Sequence, residues 1–501
     1  MSAKRTIFNQ RRGKQRGAVL MVMLVIMIIG AVTIFVMSLN SSALQLERDK
    51  VTADALVKAK NALIGRAVAD LTSPGSLPCP DTNDDGSAQS PVGQPGGNCP
   101  SYIGRLPWKS LGLSDDLRDG SGERLWYVLS PNFLDNTSVN YINSNRQGNL
   151  SVSGTVTASN VIAIVFAPGA AVNGQSRSAT NTITCTTSGT SVAESLCATN
   201  YLEGSNANLS PQSSPNLSYQ TAAASSTFND RLLIIRASDI IPLVEMRVAK
   251  ELSNAFASYL STHSNKYPYP ANFNCTSATN CTSDTTQCIG KIPALMLSVS
   301  SLTSSVTVAT ATTTTAHGLL INSQVTISGA TPSGYNGTFT ITGVPAANQF
   351  TYTVAAGLAT PATGTITAAI MTTPPWFTTN NWFDVIYYTA STNALPGGGV
   401  VPPGNRWLGR RGRGSGGGGG GGGTPVTGFG CYTALSASGS NVNALFIMPG
   451  TPLGTQSRTG TNASLSSSNL SNYFEDAENI NLDNIYIIPS VTSNDTLNAS
   501  P

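Results

Sequence analysis

Hydrophobic and polar positions change their rhythm several times along the chain. From Ala18 to Leu39 no charge interrupts a run of 22 mostly apolar residues. At ~1.5 Å per residue such a run can cross a bilayer as a helix that is apolar on every face. Beyond it the pattern becomes one-sided. Leu44, Val51, Ala55, Leu56, Ala59, Leu63, Ala67 and Leu71 recur at helical spacing. Asp54 and Lys58 stand four apart in the stabilising order, and no proline occurs in this stretch before Pro74. Together these stretches predict one continuous helix from about Ala18 to Leu71, roughly 80 Å long. A second stripe, Ile241, Val244, Val248, Leu252, Ala255, Phe256, Tyr259 and Leu260, predicts a helix over 238–263. Ser238 or Asp239 is its expected cap, with Pro242 in the first turn.

Between and after the helices the pattern shortens to strands. "SNVIAIVFAPGAAVNGQSR" at 159–177 and "SNVNALFIMPGTPLGTQSR" at 440–458 align without gaps, with nine of nineteen positions identical. Each reads as a buried strand stopped by a Pro-Gly turn. Each is followed by an echo, "NYLEGSN" at 200–206 and "NYFEDAEN" at 472–479. Both helices lead into Gly104-Arg105-Leu106-Pro107 or Gly290-Lys291-Ile292-Pro293, and then into aromatic segments. The chain thus reads as two copies of one helix-plus-sheet module, 45–236 and 237–300 continued by 372–501, an α+β organisation. Residues 301–371 interrupt the second copy with alternating Thr, Val and Ile between Gly/Asn turns, which predicts a small all-β insert. Residues 404–424 form a glycine-rich loop.

Composition narrows the class. Charged residues are 11% of 501, against a usual ~25%. Net charge is +3, yet Lys4, Arg5, Arg11, Arg12, Lys14 and Arg16 alone supply six positive charges. The remainder is mildly acidic, which argues against a basic nucleic-acid-binding body. Cys79, Cys99, Cys185, Cys197, Cys275, Cys281, Cys288 and Cys431 include no CxxC pair, and there are two histidines. Disulfides in an oxidising compartment therefore fit better than zinc. Short loops favour Cys79–Cys99 and Cys185–Cys197, and Cys288 is expected to pair with Cys275 or Cys281.

Candidate chemistry is sparse. Asp81, Asn83 and Asp85 with Gly86 match the start of a calcium loop, although Val92 stands where the bidentate Glu belongs. Calcium is the one cofactor considered. Asp115, Asp116, Asp119 and Glu123, interleaved with Arg118 and Arg124, read as a self-paired solvated face. Arg406, Arg410, Arg411 and Arg413 beside Trp407 can contact phosphates or bases, but a glycine-rich connection accounts for them without a nucleic-acid partner. With no GxSxG, HExxH or P-loop, an enzyme acting on a small molecule is not expected.

The basic leader ending in Arg16-Gly17, the Ala18-Val19-Leu20 that follows and the long helix resemble the amino-terminal region of type IV pilins and type II secretion pseudopilins. "LPCPDTNDDG", "GRLPW", "RLWYVLSPNF" and "WFTTNNW…VIYY" are similar to a group of large prepilin-like proteins of Gram-negative bacteria. The resemblance implies a leader over 1–17, cut after Gly17 by a prepilin peptidase, N-methylation of Ala18, and an 18–44 segment that spans the inner membrane before packing into a filament. The amino end would be cytoplasmic and the body periplasmic, then on a filament or the cell surface. The partners implied are other pilins or pseudopilins. Signal-peptidase cleavage after Ala43 is the competing processing. Where most members carry a Glu five residues into the mature chain, this one has Val22, which suits a minor subunit near a tip. A membrane-anchored adhesin or a DNA-contacting protein using the same export signal is the alternative. The insert, with His317-Gly318-Leu319 and Tyr335-Asn336-Gly337-Thr338-Phe339, resembles a module of phage structural proteins and is expected to act as a spacer or adhesive surface.

Overall fold

The computed structural model describes residues 16–89, 97–135, 141–172, 174–185, 191–208, 215–278, 280–314, 317, 319–370, 373–396, 431–454, 456, 458, 470–474, 479, 485–486 and 495–499. The chain opens with α1 (Arg16–Ala69), a single 54-residue helix. Asp70 ends it by accepting the Thr72 and Ser73 N–H groups at 2.8 Å each. Ala55, Leu56, Ala59, Leu63 and Ala67 are buried, whereas Leu44, Val51 and Leu71 of the same sequence stripe are exposed. The rest of the chain meets the helix from about Arg48 onward, where Asp49 pairs with Arg231 at 2.9 Å, and the apolar side chains become buried only from about Ala55.

β1 (Ile103–Arg105), β2 (Trp126–Leu129), β3 (Leu150–Gly154), β4 (Ala158–Ala167), the hairpin β5 (Thr182–Thr184) and β6 (Ser191–Ala193), β7 (Ser218–Thr221) and β8 (Arg231–Arg236) follow. β4 is the axis of the first sheet. β2 and β8 pair antiparallel with its two edges, β1 lies outside β2, and β3 carries β7. Flanked on both edges and covered on both faces, Val161–Ala167 is continuously apolar rather than alternating. Ala163 and Val165 face the helices, while Ile164 and Phe166 pack under Tyr201 and Tyr219 on the far side.

α2 (Ala237–Thr262) starts directly from β8, with Arg236 as its cap residue and the Asp239 carboxylate accepting the Arg236 N–H at 2.8 Å. The expected cap at Ser238 or Asp239 is thus displaced, because β8 feeds the helix without a loop, and Pro242 falls in the second turn. β9 (Ile289–Lys291) precedes six strands, β10 (Met296–Ser305), β11 (Val308–Thr313), β12 (Gln324–Ser328), β13 (Gly337–Ala346), β14 (Gln349–Thr353) and β15 (Thr367–Ala369), which close into a barrel with its own core. Its first strand begins five residues before the 301 boundary read from sequence. The Ile370 N–H bonds the Leu295 carbonyl at 2.9 Å, so the insert leaves and returns at one point. α3 (Pro375–Thr379), β16 (Tyr387–Ala390), β17 (Leu435–Ala437), β18 (Ser440–Val442), β19 (Ala444–Met448), β20 (Ile485–Tyr486) and β21 (Thr496–Ala499) complete the described elements.

The second sheet runs β9-β16-β19-β21, the same antiparallel order as β1-β2-β4-β8. Tyr127 lies opposite Gly104 and Val165, and Tyr388 opposite Gly290 and Phe446. Both tyrosine hydroxyls donate to a proline carbonyl in the loop after their helix, Pro78 at 3.2 Å and Pro268 at 3.1 Å. A Cβ on Gly104 would meet the Asp81 carbonyl at 2.4 Å, and one on Gly290 the Ala271 carbonyl at 1.9 Å. The repeated glycine is therefore required by the close approach of that loop.

The two halves share one core, in which α1 packs on α2 and the first sheet and α2 packs against both sheets. Lys60 pairs with Asp239 at 2.9 Å, and Arg247 donates to the Val68 and Asp70 carbonyls at 2.8 and 2.6 Å. Fully buried Asn380 accepts the Ile142 N–H at 2.8 Å.

Four disulfides form: Cys79–Cys99, Cys185–Cys197, Cys275–Cys281 and Cys288–Cys431. Cys288 therefore pairs with neither Cys275 nor Cys281. Those two close a single turn on each other. Just after β16 the Thr392 N–H donates to the Tyr432 carbonyl at 2.8 Å and the Asn393 amide to the Thr433 carbonyl at 3.0 Å, which brings Cys431 beside Cys288, the residue before β9.

Candidate functional site

Two features stand out, one at each end of the construction. The first is the leading half of α1. Leu20 to Ile29 and Val32 are each at least 50% exposed, with no face protected. An isolated apolar helix of this kind gains its stability from an environment outside the chain. The side chains of 16–19 and 33–42 lie outside the description, although the backbone through Gly17 and Ala18 is helical. Among the described residues, no helix is long and apolar enough to cross a membrane.

The second is a polar clamp built twice. In the first half, buried in the bend after β4, the Arg177 guanidinium donates to the Gly169 carbonyl at 2.8 Å, the Asn200 carbonyl at 3.0 Å and the Gln175 amide oxygen at 2.7 Å. It also pairs with Glu123 at 3.0 Å and lies 4.5 Å from the Tyr201 ring centre. In the second half Arg458 donates to the Gly450, Asn472 and Pro449 carbonyls and to the Gln456 amide oxygen, 5.0 Å from the Tyr473 ring. A second cation contacts each ring system. Arg105 lies over Trp126 and Tyr201 at 4.3 and 4.0 Å, and Lys291 over Tyr387 and Tyr473 at 4.9 and 5.9 Å. The clamp ties the Pro-Gly turn to the NY(L/F)E loop, satisfying carbonyls that the irregular backbone leaves without ladder partners. The identity of Gln175-Ser176-Arg177 and Gln456-Ser457-Arg458 carried this signal in sequence, but their role was legible only once the turn and the loop met.

Beside the first clamp, Glu203 and Asp230 are buried together. The Glu203 carboxylate accepts the Asn229 and Asp230 N–H groups at 3.0 Å each, and Asp230 accepts the Glu203 N–H at 2.9 Å and the Asn206 amide at 3.0 Å. Burial first, then the Glu203 charge, pushes the Asp230 carboxyl up to about 8 against those hydrogen bonds. A raised carboxyl is protonated in the folded chain but ionised in the unfolded one. Its stabilisation is complete below about pH 4 and is lost as pH rises towards about 8. Thermal melts between those limits should therefore show midpoints falling with pH, with a shallower fall in Asp230→Asn. An unchanged slope in the variant would remove Asp230 as the cause. In the second half the Asn479 amide donates to Asp495 at 3.4 Å, as the Asn206 amide does to Asp230.

The other sequence candidates distribute as follows. Asp81 accepts the Asn83, Asp84 and Gly86 N–H groups at 3.1, 2.8 and 2.7 Å. Asp85 accepts the Asn83 amide at 3.0 Å and the Ser87 N–H at 2.7 Å. The three side chains thus close a turn around backbone donors, with Gly86 at φ +83°. Among the described residues no three His, Cys, Asp or Glu side chains form a metal-holding group. In the acidic segment, Asp116 pairs with Arg118 and Arg124. Asp119 departs from the solvated reading: it is buried and caps the Gly169 N–H at 2.7 Å. Arg406, Arg410, Arg411 and Arg413 lie outside the described residues, as does Glu475 of the NYFE sequence.

Comparison with protein-family models, with curated proteins and with solved structures returned no match.

Proposed function

We propose that this chain is a minor pilin or pseudopilin, a structural subunit at or near the tip of a type IV pilus or type II secretion pseudopilus. The observation that carries the reading is α1 itself. One uninterrupted helix is exposed and apolar on all sides over its described side chains from 20 to 32, and its later turns pack on an antiparallel sheet. A helix of that kind suits a segment that is first solvated by lipid and later by the same segment of neighbouring subunits. The basic residues before Gly17 and the small Gly17-Ala18 junction supply the processing signal of the resembled family. The tip position follows from bulk and from Val22. Two sheets and a barrel hang on one helix, and Val22 offers no carboxylate to a neighbour's terminal amine.

Mass spectrometry of the mature protein should find N-methyl-Ala18 as its first residue, and Gly17→Trp should leave the precursor uncut in the inner membrane. Gold label on the head should mark filament ends. A mature terminus at Leu44, or uniform label along the shaft, would sink the reading. A surface adhesin exported by the same route is a second reading, favoured by the self-contained barrel.

A further inference from the structure

The stretch between Lys291 and Asp384 contains no Asp, Glu, Lys or Arg in 92 consecutive residues, and the β10–β15 barrel lies wholly within it. At the chain's own 11% charge, the 75 residues from 296 to 370 would carry about eight. Strand propensity accounts for Thr on the pleat, but not for the missing charges, because solvent-facing strand positions ordinarily carry Lys and Glu to keep edges apart and the domain soluble.

The register arranges what stands in their place. Thr303 lies opposite Thr310, and Thr310 opposite Thr351. One step along, Ser301 lies opposite Thr312, and Thr312 opposite Gln349. All six occupy the outward positions of β10, β11 and β14, while the residues between them, such as Leu302, Ala311 and Phe350, fill the barrel. The result is a grid of hydroxyl and amide groups about 4.8 Å apart across strands and nearly 7 Å along them. It ends one step further out, where Val308 replaces a hydroxyl and Val306 projects from the tip with 77% exposure. Some members already touch, as Gln349 does Thr312 at 3.2 Å, but each hydroxyl combines one donor with two acceptor sites and keeps capacity for a ligand.

We infer that this face of the barrel binds a neutral, hydroxyl-rich polysaccharide. A charged partner would lose water against a surface that returns no opposite charge. A protein partner would find no aromatic anchor on this face, since Tyr335, Phe350 and Tyr352 are fully buried and the half-buried Phe339 stands on β13, packed against Tyr352 at 4.5 Å between ring centres. A neutral glycan offers matched donors and acceptors and needs no counter-charge. The inference rests on the barrel alone and stands whether or not the amino-terminal helix enters a filament.

Only a handful of neutral hydrogen bonds together reach roughly the millimolar range, so a polymer matrix that repeats the contact is the suitable probe. The full chain, solubilised in a polyoxyethylene detergent that carries no sugar, is passed over dextran, cellulose, chitin and β-1,3-glucan, with heparin and octyl resins alongside. Retention on at least one neutral polymer is expected, unchanged between about 0.05 and about 0.5 M salt. The Thr303→Val/Thr310→Val/Thr351→Val variant keeps strand propensity and volume but should lose retention roughly tenfold. The matching Thr→Ser variant should keep retention, which separates lost hydroxyls from lost folding. Elution from every neutral polymer, retention only on heparin or octyl resin, or equal retention by the valine variant would each overturn the inference.

Discussion

Arg458→Ala is expected to destabilise the second half by about 3–5 kcal/mol, the order expected when several buried acceptors lose their donor at about 1–3 kcal/mol each and part of the gap is refilled by water. Arg458 is 8% exposed, and its guanidinium serves four carbonyls, of Gly450, Pro449, Asn472 and Tyr473, and the Gln456 amide oxygen within 3.1 Å. Removing it leaves these acceptors buried without donors, each with its own desolvation cost. Arg458→Lys should recover only part of the loss, because an ammonium cannot reproduce the planar fork that reaches the turn and the loop together. Urea unfolding read through aromatic fluorescence gives the comparison. A loss below about 1 kcal/mol for the alanine variant would show that the clamp is held by the packing around it and contributes little itself.

Loss of the Cys288–Cys431 bridge is the second large effect. It closes 143 residues, including the whole barrel and the glycine-rich segment, and the chain-entropy model assigns such a loop about 5 kcal/mol. The Cys288→Ser/Cys431→Ser pair should therefore lower the stability of the β9-β16 region more than Cys79→Ser/Cys99→Ser lowers that of the first half. The latter closes 20 residues, worth about 3 kcal/mol in the same model. Hydrogen exchange of the β9 and β16 amides reports this directly. Equal protection in the two double variants would put the stabilising weight on the shared core rather than on loop closure.

Periodicity alone located both helices, the two strands that became β4 and β19, and the all-β insert. Each depends on alternation within one short segment, and burial of one face selects for it wherever the segment packs. The duplication was legible for the same reason. Nineteen aligned positions reproduce one strand and one turn, and the matching orders β1-β2-β4-β8 and β9-β16-β19-β21 extend that likeness to the sheets. Contacts between distant segments were not written in any local pattern. Nothing near Cys288 names a partner 143 residues on, because that pairing depends on which strand lies beside β9. Asp119 reads as one more surface carboxylate until the β4 turn arrives to donate the Gly169 N–H. Arg177 and Arg458 look like ordinary polar turn residues until the NY(L/F)E loops close over them. The hydroxyl grid is the intermediate case. Its composition is visible in the sequence, but only strand register decides which threonines stand side by side, since a slip of one residue would turn every one of them into the barrel.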